Sequence, residues 1–406
     1  MIRRAKEQRI VPKSLDELAR ELHRCAAECA PLRIEGGNTL RGMGTPSSAP
    51  AALVTTSLDA LVSHEYHDLT CAVQSGMRVG AFADRLAEHG QFVPLDAPLP
   101  RRATVGGTVA AGWFGPRRHL YGRPRDLLIG TEAVLADGTI VHAGGMVVKN
   151  VSGYDMSKLY AGSFGTLAVL SQLNFKALPV PPHRRALLAS LPQGTRKGAA
   201  DQLYGMRMTP AAAIFVEGFR KSIDGTDGID GRVIVLLEGS AALIDRATRE
   251  VRTEFGRAGV PETAILDAGA TEVFGRALDA CIEVRGERSI TYRSLGTPEG
   301  AHERATALRD AANARELYTD ILMDAMNGDV FVRVSDRDSR SFSDKIFGAH
   351  AALRAVDPQA IVIASAPALR GKLDPWGAAP ATIERMRSLK ASFDPKNLLN
   401  PGRFLV

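Results

Sequence analysis

Apolar positions recur every three to four residues from about residue 15 to residue 29, and the segment opens on Ser14-Leu15-Asp16-Glu17. A serine followed three residues later by a glutamate satisfies the free amide groups at a helix start, so the stretch predicts an amphipathic helix with a capping box. The pattern then changes to short apolar runs, which predict strands at 31–34, 52–55, 69–73 and 132–135, with a second helix at 79–88. Asp137-Gly138-Thr139 has the chemistry of a hairpin turn. Up to about residue 178 the chain reads as a glycine-rich mixture of helix and strand.

The character changes at Pro179-Val180-Pro181-Pro182, because adjacent prolines continue neither a helix nor a strand ladder. A second domain is expected to start there. Within it, apolar runs predict strands at 212–218, 233–237, 290–295, 330–334 and 361–364, and helical periodicity predicts helices at 241–255, 302–317 and 342–355. Strand, strand, helix, then the same again suggests an antiparallel sheet covered on one side by helices, and hence an α+β fold. The polar loop from Asp224 to Gly231 has aspartates at intervals but no glutamate at the last calcium-ligand position, so it reads as a hairpin loop.

Composition narrows the class without naming a function. Hydrophobic residues make up 45% and charged residues 24% of 406 residues, as in ordinary globular proteins and unlike disordered or collagen-like chains. The length exceeds one usual core, in keeping with two domains. The formal charge of +6 is spread among acids rather than gathered in a basic run, so no nucleic-acid partner is expected. No stretch of about 18 apolar residues occurs and no apolar run follows the charged start, so the expectation is a cytoplasmic protein without a transmembrane segment. Cys25, Cys29, Cys71 and Cys281 form no CxxC pair; Cys25 and Cys29 read as buried helix thiols, and neither a metal nor an iron–sulfur cluster is expected in this chain.

Candidate chemistry lies in the glycines. Gly36-Gly37-Asn38-Thr39-Leu40 follows a predicted strand, where successive backbone N–H groups can turn inward as an anion-binding nest. Neither GxGxxG nor GxxxxGK[ST] is present. Further segments follow in order: Pro94-Leu95-Asp96-Ala97-Pro98, then Ala103-Thr104-Val105-Gly106-Gly107-Thr108-Val109-Ala110-Ala111-Gly112, whose small residues let a planar ligand lie against backbone. After these come Tyr121-Gly122-Arg123-Pro124-Arg125-Asp126-Leu127, the stretch from Lys149 to Tyr160, and Gly162-Ser163-Phe164-Gly165-Thr166, a tight turn into a strand.

In this order the segments resemble the FAD-binding domain of the vanillyl-alcohol-oxidase and p-cresol-methylhydroxylase (PCMH-type) superfamily. Phe393-Asp394-Pro395-Lys396-Asn397-Leu398-Leu399-Asn400-Pro401-Gly402-Arg403 is similar to that superfamily's closing segment. The resemblance implies an FAD domain of two α+β subdomains over 1–178, an α+β cap with an antiparallel sheet over 179–390, and a segment, 391–406, returning to the FAD domain. Residues 106–118 and 147–155 are most similar to the E subunit of bacterial glycolate oxidase. That similarity implies an FAD-bearing subunit working with a catalytic flavoprotein and an iron–sulfur subunit, peripheral at the inner membrane through those partners, in oxidising a small 2-hydroxy acid such as glycolate or D-lactate to the 2-oxo acid.

By the same resemblance, Gly36 to Leu40 would hold the pyrophosphate of FAD. Thr104, Gly106, Gly107, Ala110 and Ala111 would lie along the diphosphate, ribityl and ring, and Gly162, Gly165, Thr166 and Val169 would meet the adenosine half. Pro98, Asp155 and Asn400 complete the expected contacts. Relatives that bind FAD covalently through the first loop carry histidine after the paired glycines; Asn38 stands there instead, which implies non-covalent FAD.

Catalytic residues are not identified by the sequence. Catalytic relatives carry a histidine cluster before the final strands, and the nearest segment, Met323-Asp324-Ala325-Met326-Asn327-Gly328-Asp329-Val330, has no histidine. His64-Glu65-Tyr66-His67 reads as a surface turn. Arg285, Arg288, Arg293 and Arg333 are the candidates to receive a substrate carboxylate, and Trp113 and Trp376 read as packing or interface residues. Two alternatives stand beside the subunit reading: a self-sufficient FAD-dependent oxidase or dehydrogenase of another alcohol or hydroxy acid, and a non-catalytic assembly subunit that keeps the flavoprotein fold.

Overall fold

The computed structural model describes residues 8–147, 153–192, 194–219, 231–260, 263–283, 288–336 and 342–406. Arg285, the loop 224–230 and residues 149–152 fall outside them.

The first helix, Leu15–Ala27, is capped as its sequence predicts on one side only. Ser14 Oγ accepts from Glu17 N at 3.2 Å, while Glu17 reaches past Ser14 to the amide of Lys13 at 2.8 Å. Leu18, Leu22 and Cys25 are buried against a small sheet of three parallel strands in the order Gln8–Ile10, Ala51–Val54, Leu32–Glu35. Cys29 lies beyond the helix end and is exposed, since the chain there turns into the left-handed region (φ +50), so it is not the buried helix thiol expected.

Beside this sheet stands an antiparallel one in the order Leu61–Glu65, Thr70–Gln74, Val169–Lys176, Leu128–Val134, Ile140–Gly144. Its core holds Phe82 and Leu86 of the helix Val79–Ala87, with Val105 and Val109 of the short helix Val105–Ala110. His64 lies within the first of these strands rather than in a turn, and its ring packs against Tyr66 and His89.

From His183 the chain builds an eight-stranded, wholly antiparallel sheet. Its order is Ala264–Leu266, His183–Leu191, Gly231–Gly239, Ala212–Glu217, Tyr318–Asp324, Val330–Ser335, Ser289–Ser294, Ile361–Ser365. One face is covered by helices including Ala241–Arg257, Ala301–Asn313 and Phe342–Val356, as the strand and helix alternation predicts. The other face is not open: the helix Ala270–Ile282 covers part of it, and Met43, Trp113, Leu40 and Phe164 from the first half of the chain cover more. This second covering makes the large sheet a wall beside the glycine loop. Finally, the helix Ile383–Phe393 leads the chain back, and Leu399 pairs with Leu32 beside the loop.

Candidate cofactor-binding site

A cleft of about 380 Å³ opens at the end of the strand Leu32–Glu35. The chain turns there through Gly36 and Gly37 to Asn38, which stands in the left-handed region at φ +57. Asparagine accepts this conformation because its short side chain bonds locally, here donating Nδ2–H to Glu35 Oε2 at 2.8 Å. Among the described residues, the amide N–H groups of Gly37, Asn38, Thr39 and Leu40 have no acceptor within the chain. Four consecutive donors are therefore left for a ligand, which is the nest chemistry suited to a phosphate.

The glycines are required by close approach. A Cβ on Gly36 would strike Thr104 Oγ1, one on Gly37 would strike the Arg102 carbonyl, and one on Gly106 would strike Ser75. Thr104 caps the helix Val105–Ala110, its Oγ1 accepting from Gly107 N at 3.2 Å. The facing wall is the turn at Phe164 and Gly165. Asn400 staples it in place: its Oδ1 accepts from Ile34 N at 2.9 Å and its Nδ2 donates to the Phe164 carbonyl at 2.7 Å.

Of the expected contact residues, Gly36 to Leu40, Thr104, Gly106, Gly107, Ala110, Ala111, Gly165, Val169 and Asn400 line the cleft; Pro98, Asp155, Gly162 and Thr166 do not. Pro98 is buried and precedes Leu99, whose amide donates to Asp279 at the boundary with the large sheet. Asp155 caps the helix Met156–Tyr160, accepting from Lys158 N at 3.2 Å. Gly162 lies against the backbone of Gly112, and the Thr166 hydroxyl donates to the Ser163 carbonyl at 2.7 Å.

Beyond the expected contacts, the charged residues Arg33, Glu35, Arg41, Arg370 and Arg403 and the hydroxyl of Ser75 also line the cleft. Burial pushes the Glu35 carboxyl up, but the hydrogen bonds from Arg33 and Asn38 and the charges of Arg33 and Arg9 outweigh it and hold the group below its ordinary value. Burial, followed by the charges of Arg370, Arg41 and Arg33, lowers the Arg403 guanidinium to about 10. Among the described residues, the buried Ser75 Oγ and Arg370 Nε have no hydrogen-bond partner. Unpaired buried donors around a nest of free amides fit a ligand rich in acceptor oxygens, and the small residues beside them fit a flat one.

On the large sheet, two of the arginines expected to receive a carboxylate are already engaged. Arg293, expected as a receiver of carboxylate, is buried and donates to Asp329 Oδ2 at 2.6 Å and to the Phe114 carbonyl at 3.1 Å. Arg333 is engaged by Asp320 and donates to the Ala280 carbonyl at 3.2 Å. Alternation along a strand leaves half of such residues facing out, but here both guanidiniums turn inward because a carboxylate waits on a neighbouring element. Arg118 reaches across from the first half of the chain to Asp329 Oδ1 at 2.8 Å, and Asn327 donates to the Pro116 carbonyl at 2.8 Å. The seam between residues 113–118 and the turn 324–329 is thus held by buried ionic and polar bonds. Among the described residues no group of three or more His, Cys, Asp or Glu is arranged to hold a metal, and no helix is long and apolar enough to cross a membrane.

Asp324 sits at the centre of this seam, its carboxylate accepting from the amides of Met326 and Asn327 and from Asn327 Nδ2. Burial and the nearby charge of Asp329 push it up to about 7 from an ordinary 3.8. The folded state therefore holds a proton that the unfolded state releases, and stability contributed by this group falls as pH rises from about 4 through about 7. Denaturant unfolding of the wild-type chain and of Asp324→Asn between pH 5 and 8 should show the wild type losing stability relative to the variant; a constant difference would count against the assignment.

Residues 7–144 match the model of the FAD binding domain, and residues 375–404 match the C-terminal domain of FAD-linked oxidases. These matches give the chain an FAD-binding domain and make it an FAD-dependent oxidoreductase. Relatives narrow this further. The chain is 26% identical to glycolate oxidase subunit GlcD of Bacillus subtilis over 98% of its own length and 88% of the relative's, and 27% identical to a D-lactate dehydrogenase of Archaeoglobus fulgidus over 98% and 92%. Its likeness to glycolate oxidase subunit GlcE of Escherichia coli is 29% but more local, covering 58% of this chain and 63% of that subunit. Among solved structures, p-cresol methylhydroxylase with substrate bound superposes with a TM-score of 0.71 at 15% identity, covering 97% of this chain and 88% of the other. A likeness at that identity concerns the fold.

Proposed function

We propose that the chain is the FAD-bearing subunit of a 2-hydroxy-acid dehydrogenase complex, acting on glycolate or D-lactate together with partner subunits. FAD when bound supplies a hydride acceptor. The residues of the first loop, the helix Val105–Ala110 and the turn at Gly165 would hold it, and Asn38 leaves it without a covalent bond. Acid precipitation should release all flavin from the protein; colour retained in the pellet would contradict this.

The observation that carries the subunit reading is the contrast between the two sides of the site. The cofactor cleft leaves the amides of Gly37 to Leu40 free among the described residues, whereas Arg293 and Arg333, two of the arginines expected to take a substrate carboxylate, are already held by Asp329 and Asp320. Hydroxy-acid oxidation needs a cation for the carboxylate and a base for the hydroxyl proton, and a partner would supply them. Glycolate- or D-lactate-dependent dye reduction should require co-expression with a second flavoprotein. The self-sufficient reading is favoured by the end-to-end similarity to the Archaeoglobus D-lactate dehydrogenase, and robust turnover by this chain alone would establish it instead.

A further inference from the structure

The cofactor cleft is walled by three separate stretches of chain, and the least expected is the last edge of the large sheet. The strand Ile361–Ser365 presses directly on the continuation of the glycine loop: a Cβ on Gly42 would stand 3.0 Å from Ala364 Cα and 3.2 Å from Ser365 N. Gly44, at φ +75, packs against the Trp376 ring and the Arg403 carbonyl. Loop, sheet edge and C-terminal segment therefore meet at backbone contact, and the turn Pro367–Leu369 carries Arg370 from that edge to the cleft.

We propose that Arg370, with Arg41 on the glycine loop and Arg403 on the C-terminal segment, forms a three-sided guanidinium clamp on the diphosphate of FAD, so that the cofactor fastens the second domain and the C-terminal segment to the flavin domain. The inference rests on the FAD reading of the cleft. Arg403 is locked in place, donating to the carbonyls of Leu40 and Thr45 at 3.1 Å and of Arg41 at 3.4 Å. Arg370 differs from the buried arginines of the large sheet. Arg293 and Arg333 are each paired with a carboxylate, whereas among the described residues the Arg370 side chain has none and faces like charge from Arg41, its buried Nε, like that of Arg293, having no hydrogen-bond partner. Glu35, the carboxylate lining the cleft, is already held by Arg33 and Asn38. Converging guanidiniums call for a ligand with more than one negative charge and several acceptor oxygens, which planar guanidinium groups meet two at a time. In FAD only the diphosphate has that chemistry, and it would lie beside the free amides of Gly37 to Leu40.

The test uses the full-length chain stripped of flavin, with FAD, ADP and riboflavin as separate probes. ADP carries the diphosphate without the ring, and riboflavin the ring without phosphate. For Arg370→Gln, affinity for FAD and ADP should fall 10- to 100-fold, riboflavin affinity should be unchanged, and the ADP affinity should lose part of its salt dependence. The melting temperature of the flavin-free variant should equal or exceed that of the wild type, because a guanidinium facing like charge has been removed. Arg370→Lys, which keeps the charge, should recover much of the ADP affinity. The clamp is overturned if Arg370→Gln binds ADP as tightly as the wild type, if FAD affinity falls while ADP affinity does not, or if ADP and riboflavin weaken together with a lowered melting temperature. A wild-type chain that binds neither FAD nor ADP would overturn the FAD reading itself, and the clamp with it.

Discussion

Gly37→Ala should leave the purified chain colourless, with FAD affinity lowered by at least about 100-fold, or roughly 3 kcal/mol. The added Cβ falls on the Arg102 carbonyl and within 2.9 Å of the Arg78 guanidinium, which itself donates to that carbonyl. Backbone cannot swing aside as a side-chain tip does, so the loop must move and take the amides of Gly37 to Leu40 out of register. Gly162→Ala is the internal control. Its added Cβ would meet only Gly112 Cα, at 3.8 Å, and the cost at φ +84 is the strain of a left-handed residue, about 1–2 kcal/mol of stability with flavin retained. Flavin titration of both variants, with unfolding curves, checks the pair; retention of FAD by Gly37→Ala would sink the nest assignment.

The second large effect is expected at the seam between residues 113–118 and the turn 324–329. Asp329→Ala removes the shared carboxylate of Arg118 and Arg293 and leaves the buried Arg293 guanidinium among Trp113, Phe114 and Phe331 without a counter-charge. Breaking one side of a buried pair in this way costs about 3–5 kcal/mol, far more than the pair contributes relative to an apolar replacement. Urea unfolding should show that loss, and Asp329→Ala combined with Arg293→Leu should recover much of it. A single-variant loss below about 1 kcal/mol would mean that the seam is wetter and looser than its geometry indicates.

The elements that the sequence disclosed are those governed by local rules. The capping serine at position 14 and the apolar strand runs of the second half follow from short-range pattern, and the glycines report a steric demand whatever residue meets them; each is where the pattern placed it. The strand His183–Leu191 was hidden because it opens on His183, Arg184 and Arg185, a charged run that reads as loop. The structure reconciles the charges with a strand by pairing Arg184 with Glu238 and Arg185 with Asp245 and Asp267. The strand Tyr318–Asp324 directly follows residues read as helix, so periodicity gave no separate signal for it.

In the cleft, Gly36, Gly37, Gly106 and Gly107 were legible because glycine reports a steric demand. Arg33, Arg41, Arg370 and Arg403 were not, since an arginine lining a cleft and one facing solvent look alike in a sequence. Asp155 and Gly162 show the converse. They sit in a recognisable segment but serve a helix cap and a close backbone contact rather than the cleft wall. The pattern Asn400-Pro401-Gly402-Arg403 held the most information of all, since Asn400 ties the two walls together and Arg403 holds the loop carbonyls.

The central claim is that this chain carries its own FAD in the cleft formed by the first loop. An absorbance spectrum of the purified full-length chain, reconstituted with FAD and passed through a desalting column, tests it directly. The account predicts flavin bands at about one equivalent per chain, lost in Gly37→Ala. A wild-type protein that emerges without flavin absorbance would contradict it and leave the chain as an assembly subunit with a flavoprotein fold.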